Sequence, residues 1–132
     1  MTRSALNMAG SCPCGGPSFR ECCEPVLDGV RVPATAEELM RSRYTAYAVH
    51  HADHIFRTWH PRTRPERQPV DPEVDWLGLR ILRVEGGGPD DVTGVVEFIA
   101  RSSGPLGPGQ LHEVSRFARR AGRWFYVDGD PV

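Results

Sequence analysis

Val74-Asp75-Trp76-Leu77-Gly78-Leu79-Arg80-Ile81-Leu82-Arg83-Val84-Glu85, closed by Gly86-Gly87-Gly88-Pro89-Asp90, is where the chain turns from helical to strand-like composition. The first run is rich in Trp, Leu, Ile and Val, and the second is a turn, so the pair predicts a strand ending in a hairpin. No helix pattern follows the three glycines, which makes them a turn and not a phosphate cradle. Val92 to Arg101 reads as the next strand, with Val92, Val96 and Phe98 among its apolar residues on one side. Gly104 to Gly109, containing Pro105 and Pro108, predicts a second turn region. Leu111 to Arg120 alternates less cleanly, and Ala121-Gly122 then turns the chain into Trp124 to Val127.

Upstream the pattern is helical. Thr35 followed by Glu38 reads as a capping box. Leu39, Met40, Tyr44, Tyr47 and Ala48 then recur at helical spacing and give one apolar face. A second short helix is expected from about Ala52 to Thr58, ending before Pro61. Pro61 to Pro72 carries Pro61, Pro65, Pro69 and Pro72 among several arginines and predicts an irregular loop. Two helices followed by a run of antiparallel strands argue for an α+β domain, with a curved sheet packed on the first helix.

The chain has 132 residues, 39% of them hydrophobic, enough for one domain with a small appendage. With 25% charged residues and a formal net charge of -1, nothing calls for nucleic acid or an anionic membrane as partner. All 16 basic residues are arginine, which reads most simply as the signature of a GC-rich genome. No apolar run approaches the roughly 20 residues that span a bilayer. Met1 to Gly10 lacks the apolar stretch of a secretory leader and is expected to be a disordered start. A cytoplasmic location, where thiols stay reduced, follows as the expectation.

Residues 11–33 differ from both flanks, being rich in Cys, Gly and Pro. Cys12-Pro13-Cys14 and Cys22-Cys23 stand seven residues apart. Zinc wants soft ligands in a tetrahedron, and two close thiolate pairs joined by a short Gly-rich loop supply that geometry. Gly15, Gly16 and Pro17 suit a tight turn that returns the second pair onto the first. Metal binding would also stabilise a segment too short for a core of its own. Two alternatives stand beside Zn2+: a redox pair, and unligated cysteines. The redox motif of thioredoxins has two residues between its cysteines and a βαβ setting, neither present here.

Cys12-Pro13-Cys14-Gly15, Phe19 and Cys22-Cys23 resemble the SEC-C motif, the zinc knuckle that ends the bacterial translocase ATPase. Arg41-Ser42-Arg43-Tyr44-Thr45-Ala46-Tyr47, Thr58-Trp59-His60-Pro61, Glu113-Val114-Ser115-Arg116-Phe117 and Arg123-Trp124-Phe125-Tyr126-Val127-Asp128-Gly129 narrow the resemblance to the YchJ-like family. The match runs from Cys12 to Gly129. The loop between the cysteine pairs is one residue shorter than usual, and Gly15-Gly16 replaces the common Gly-Ser. The resemblance implies a bacterial protein with a zinc knuckle over 11–33. It also implies a cystatin-like, nuclear-transport-factor-2-like α+β domain over 34–132, a curved sheet around helices with an open pocket. It supplies no reaction.

Within that domain the pocket candidates are Arg41, Arg43, Tyr44, Tyr47, Trp59, Glu113, Ser115 and Trp124. Arg41 and Arg43 lie on different faces of the first helix, so one could point inward. A buried arginine needs a carboxylate partner, for which Glu97 or Glu113 are the candidates. Glu113, Ser115 and Phe117 share one strand face, with Trp124 or Tyr126 nearby, and Glu113 could serve as a general base. His50 and His54 are spaced to share a helix face, but a solvated helix end is the simpler reading. Arg116, Arg119, Arg120 and Arg123 form a basic cluster that reads most simply as a solvated hairpin tip; it could touch RNA or an acidic protein, but the absence of interleaved exposed aromatics weakens the RNA reading. The favoured function is a zinc-binding adaptor that meets a partner protein through the knuckle. The alternative is a small-molecule enzyme or ligand-binding protein with structural zinc.

Overall fold

The structure is a computed structural model and describes residues 11–132; the expected disordered start at Met1 to Gly10 lies outside the described residues. Three helices come first, α1 (Glu24–Leu27), α2 (Ala36–Ala48) and α3 (Ala52–Arg57). Four strands follow, β1 (Asp75–Gly86), β2 (Thr93–Gly104), β3 (Gly107–Arg120) and β4 (Arg123–Pro131). They form one antiparallel sheet in the order β1-β2-β3-β4. Among the described residues no helix is long and apolar enough to cross a membrane.

The β2–β3 turn is tighter than its glycines and prolines predict. Pairing runs out to Gly104↔Gly107, leaving Pro105 and Leu106 as the loop, while Pro108 lies in the ladder opposite Ser103. Irregularities at Trp76/Gly78, Ile81/Arg83 and Arg116/Phe117 insert bulges. Bulges bend and twist the strand that carries them, which lets the sheet wrap a helix. The concave face buries Val96, Phe98 and Ala100 of β2, Ser115 and Phe117 of β3, and Trp124 of β4. Val92, expected beside Val96 and Phe98, falls before the strand and is exposed.

Helix α2 opens as its capping box requires, with the Glu38 backbone N–H donating to Thr35 Oγ1 at 3.1 Å. Its burial departs from the single apolar face expected. Leu39, Met40, Ser42, Arg43, Tyr44, Thr45 and Ala46 are all buried. The helix is enclosed on three sides: by the sheet, by α3, and by the cysteine-rich segment. Polar residues occupy two of those sides because each has a specific polar partner there, as buried polar groups require.

The cysteine-rich segment is correspondingly not an appendage on the surface. Cys12, Cys14, Phe19, Cys23 and Leu27 are buried in the same cluster as Leu39, Ile55 and Phe117. His54, expected at a solvated helix end, is 2% exposed. The chain turns through His50 at φ 60, and the ring of His51 then caps α3 by accepting the His54 backbone N–H at 3.1 Å. That cap rotates the His54 side chain inward against Ser42 of α2.

Candidate functional site

Two sites lie on opposite sides of α2. On one, a turn brings the cysteine pairs together. The Cys12 N–H donates to the Gly16 carbonyl at 3.0 Å, and the Gly15 N–H to the Cys12 carbonyl at 2.9 Å, with Gly15 at φ 99. A Cβ on Gly16 would stand 2.7 Å from Cys22 Sγ, so only glycine lets the second pair close on the first. Cys14 Sγ and Cys22 Sγ are 3.5 Å apart, and Cys22 Sγ and Cys23 Sγ 3.9 Å. All four sulfurs lie within 4.8 Å of one another, and no cysteine is disulfide-bonded.

The donor set fits a tetrahedral metal. Zinc with thiolates at about 2.3 Å places its sulfurs about 3.8 Å apart, the spacing found here without rearrangement. The electrostatics point the same way. Hydrogen bonds with Cys14 and Cys23 hold the Cys12 thiol far below its ordinary range. Burial pushes Cys22 up to about 12, and the contact with Cys12 pushes Cys23 up as well. Four crowded thiols cannot all ionise alone, whereas a dication removes that repulsion.

Helix α2 supplies the surroundings of the cluster. Thr45 Oγ1 donates to Cys23 Sγ at 3.2 Å and lies 3.7 Å from Cys12 Sγ. Arg41 Nη1 donates to the Cys14 carbonyl at 2.8 Å while its Nε meets Glu37 at 2.9 Å. Arg41 therefore serves the cysteine turn and does not line the pocket, a correction to the sequence reading. Its position on the helix, two residues before Arg43, turns it to the opposite side.

On the other side, α2 and the concave sheet enclose a cavity of about 360 Å³. Arg43, Tyr44, Tyr47, Trp59, Glu113 and Ser115 all line it. The inner end is buried, with Arg43 at 3% and Ser115 at 1% exposure, and Pro69 and Asp71 stand exposed at the mouth. Trp124 does not line the cavity. The β3–β4 register sets Trp124 opposite Arg119 and Glu113 opposite Pro131, at the two far ends of the hairpin. Trp124 instead donates through Nε1 to the Ala34 carbonyl at 3.1 Å, under the Arg119 guanidinium.

Arg43 is the buried arginine, but its neighbourhood differs from the ion pair expected. Nη1 donates to Thr58 Oγ1 at 2.7 Å and to the Ile55 carbonyl at 3.1 Å. The guanidinium rests on the rings of Tyr126 and Trp59, 4.5 and 5.1 Å from their centroids. Cation–π contact and neutral acceptors replace the carboxylate. Glu97 lies on the outer face, paired with Arg83 and His112. Glu113 acts on Arg43 only through space. Its Oε2 accepts from Ser115 Oγ at 2.6 Å and from the Tyr126 hydroxyl at 3.2 Å. Burial raises the Tyr126 and Tyr47 pKa values, so both phenols stay protonated.

Three contributors escaped the sequence reading. Gly129 seats the Glu113 carboxylate, which occupies the space a Cβ there would need. Trp76 packs edge-on to Tyr44, 6.2 Å between centroids, and forms a wall of the cavity. Thr45 touches the cysteines. Only Gly129 left a visible signal, as the residue closing the strand's Asp128-Gly129 pair. Trp59 is placed by a short parallel bridge to Tyr126, where the Tyr126 N–H donates to the Thr58 carbonyl and the His60 N–H to the Tyr126 carbonyl.

Comparison with known proteins agrees with this architecture. The family described as "YchJ, middle NTF2-like domain" matches residues 35–129. The chain belongs to the YchJ-like family. A UPF0225 protein of Chromobacterium violaceum is 45% identical over 131 residues, spanning 96% of this chain and 97% of that protein. A Streptomyces coelicolor UPF0225 protein is 47% identical over 120 residues, covering 90% of this chain and 94% of its own length. Two solved structures of SEC-C motif containing proteins share the fold. That from Rhodopseudomonas palustris has a TM-score of 0.80 at 37% identity, covering 92% of this chain and 98% of its own. That from Psychrobacter arcticus has a TM-score of 0.75 at 27% identity, covering 93% and 83%.

Proposed function

We propose that this member of the YchJ-like family is a small-molecule-binding protein whose fold is braced by one zinc ion on Cys12, Cys14, Cys22 and Cys23. The observation that carries the binding reading is the open cavity lined by buried Arg43 and half-buried Glu113. Side chains of that charge are costly to keep in an apolar cleft unless something uses them. The zinc reading rests on the sulfur spacing and the space left by Gly16. Four thiolates leave no open position on the metal, so zinc supplies structure and not chemistry. Three of the four cysteines are buried against α2, which supports a bracing metal over one displayed to a partner protein.

A fragment screen on the full chain, read by amide and indole NMR shifts, tests the binding reading. Fragments are expected to shift Trp59, Tyr126 and Ser115, and Ala100→Leu, which fills the cavity from β2, is expected to abolish those shifts. Shifts that map elsewhere, or that survive in Ala100→Leu, would overturn it. Glu113 beside the Tyr126 hydroxyl also favours a second reading, in which the bound molecule loses a proton to Glu113. Deuterium exchange into bound fragments, lost in Glu113→Gln, would separate turnover from binding; no exchange would leave binding alone.

A further inference from the structure

Buried Arg43 and half-buried Glu113 line the same cavity without touching. Both hydrogen bonds of Arg43 leave from Nη1, so among the described residues none leaves its Nη2 or Nε. Both hydrogen bonds to Glu113 land on Oε2, and among the described residues none reaches Oε1. The spare donors of Arg43 and the spare acceptor of Glu113 therefore belong to two residues that line the same cavity.

Tyr126 contacts both. Its ring lies 4.5 Å from the guanidinium carbon of Arg43, and its hydroxyl lies 3.2 Å from Glu113 Oε2. Arg43 and Glu113 each meet Tyr126, and among the described residues they form no ion pair with each other. In a buried setting charges interact strongly. An anionic head on Arg43 would face the Glu113 carboxylate, and a cationic head on Glu113 would face the guanidinium. A neutral group that accepts at one end and donates at the other meets neither penalty.

We propose that the cavity, on the binding reading given above, selects a small apolar molecule bearing a neutral, dipolar head of the primary carboxamide kind. The carbonyl accepts from Arg43, the NH₂ donates to Glu113 Oε1, and the apolar body lies against Trp76, Tyr44 and Phe98. Asp71 stands at the solvated mouth, where water screens it.

The test titrates the full chain with toluene, phenylacetamide, phenylacetate and phenethylamine, following the Trp59 indole resonance. Phenylacetamide is expected to bind roughly tenfold or more tightly than either charged analogue, since each analogue leaves a buried polar group facing a like charge or unpaired. Glu113→Gln is expected to strengthen phenylacetate and erase the preference for the amide, because it removes the charge that opposes an anion near Arg43. A charged analogue that equals or exceeds the amide on the unaltered chain would overturn the head-group assignment. Toluene binding with no gain for the amide would overturn it too, while leaving the cavity reading standing. If none of the four moves the Trp59 resonance, the cavity reading itself falls, and this proposal with it.

Discussion

Acidification should destabilise the fold through His54, independently of the cysteines. Ser42 Oγ donates its one proton to the Leu39 carbonyl at 2.8 Å and lies 2.9 Å from His54 Nε2. The serine oxygen must therefore accept there, which places the imidazole proton on Nε2 and leaves Nδ1 bare. Nδ1 is buried without a partner, so protonating it would create a cation with nothing to hold it. Burial first, then Arg57, Arg43 and His51, lower the His54 pKa from 6.5 to about 3, with Asp53 opposing weakly. The folded value lies below the unfolded one, so between them only the unfolded chain carries the proton. The contribution is complete above pH 6.5 and is lost as pH falls toward about 3. One proton gives a slope of about 1.4 kcal/mol per pH unit, or about 2.7 kcal/mol lost by about pH 4.5. Urea unfolding of the natural chain and of His54→Gln, which keeps a donor toward Ser42 but cannot titrate, isolates this effect. Acid loss of metal and carboxylate protonation are common to both chains and cancel in the difference. The stability difference should shift against the natural chain by that slope as pH falls below 6.5. Parallel profiles would refute both the tautomer and the burial argument.

Further perturbations address the cysteine centre and the hairpin that closes the core. Gly16→Ala puts a Cβ 2.7 Å from Cys22 Sγ and should lower both metal affinity and thermal stability, read by chelator competition and melting of the same samples. Thr45→Val removes the hydroxyl that donates to Cys23 Sγ at 3.2 Å and should weaken metal binding roughly 10–100-fold with the fold retained. Unchanged affinity would show that Thr45 only fills space. Trp124→Ala deletes a side chain 3% exposed that ties the hairpin to Ala34, and should cost about 3–5 kcal/mol in urea unfolding without moving the cavity resonances.

Local chemistry in the sequence was legible wherever one residue type satisfied a nearby need. Thr35 with Glu38 marked the start of α2, the three glycines after β1 marked a turn, and the paired cysteines marked a four-sulfur cluster. Period-two spacing alone placed Glu113, Ser115 and Phe117 on one face. What the sequence hid depends on partners distant along the chain. The α2 stripe predicted one buried face because Ser42, Arg43 and Thr45 look polar in isolation. Their acceptors and donors are His54, Ile55, Thr58 and the cysteines, which lie 12 to 33 residues away. Strand register had the same effect on Trp124, whose neighbours in sequence share the site that it does not reach. Arg43 was expected to meet a carboxylate, since nothing in the sequence shows that two aromatic rings will converge on it.

Metal content is the most direct test of the zinc proposed on the four cysteines of residues 11–33. The full chain, purified without added metal, would be analysed by elemental mass spectrometry alongside thiol titration before and after chelation. About one zinc per chain is predicted, with the four cysteines unreactive until the chelator is added and all reactive afterwards. A metal-free protein that is folded, or thiols that react equally with and without chelator, would contradict the zinc assignment and return Cys22 and Cys23 to redox chemistry.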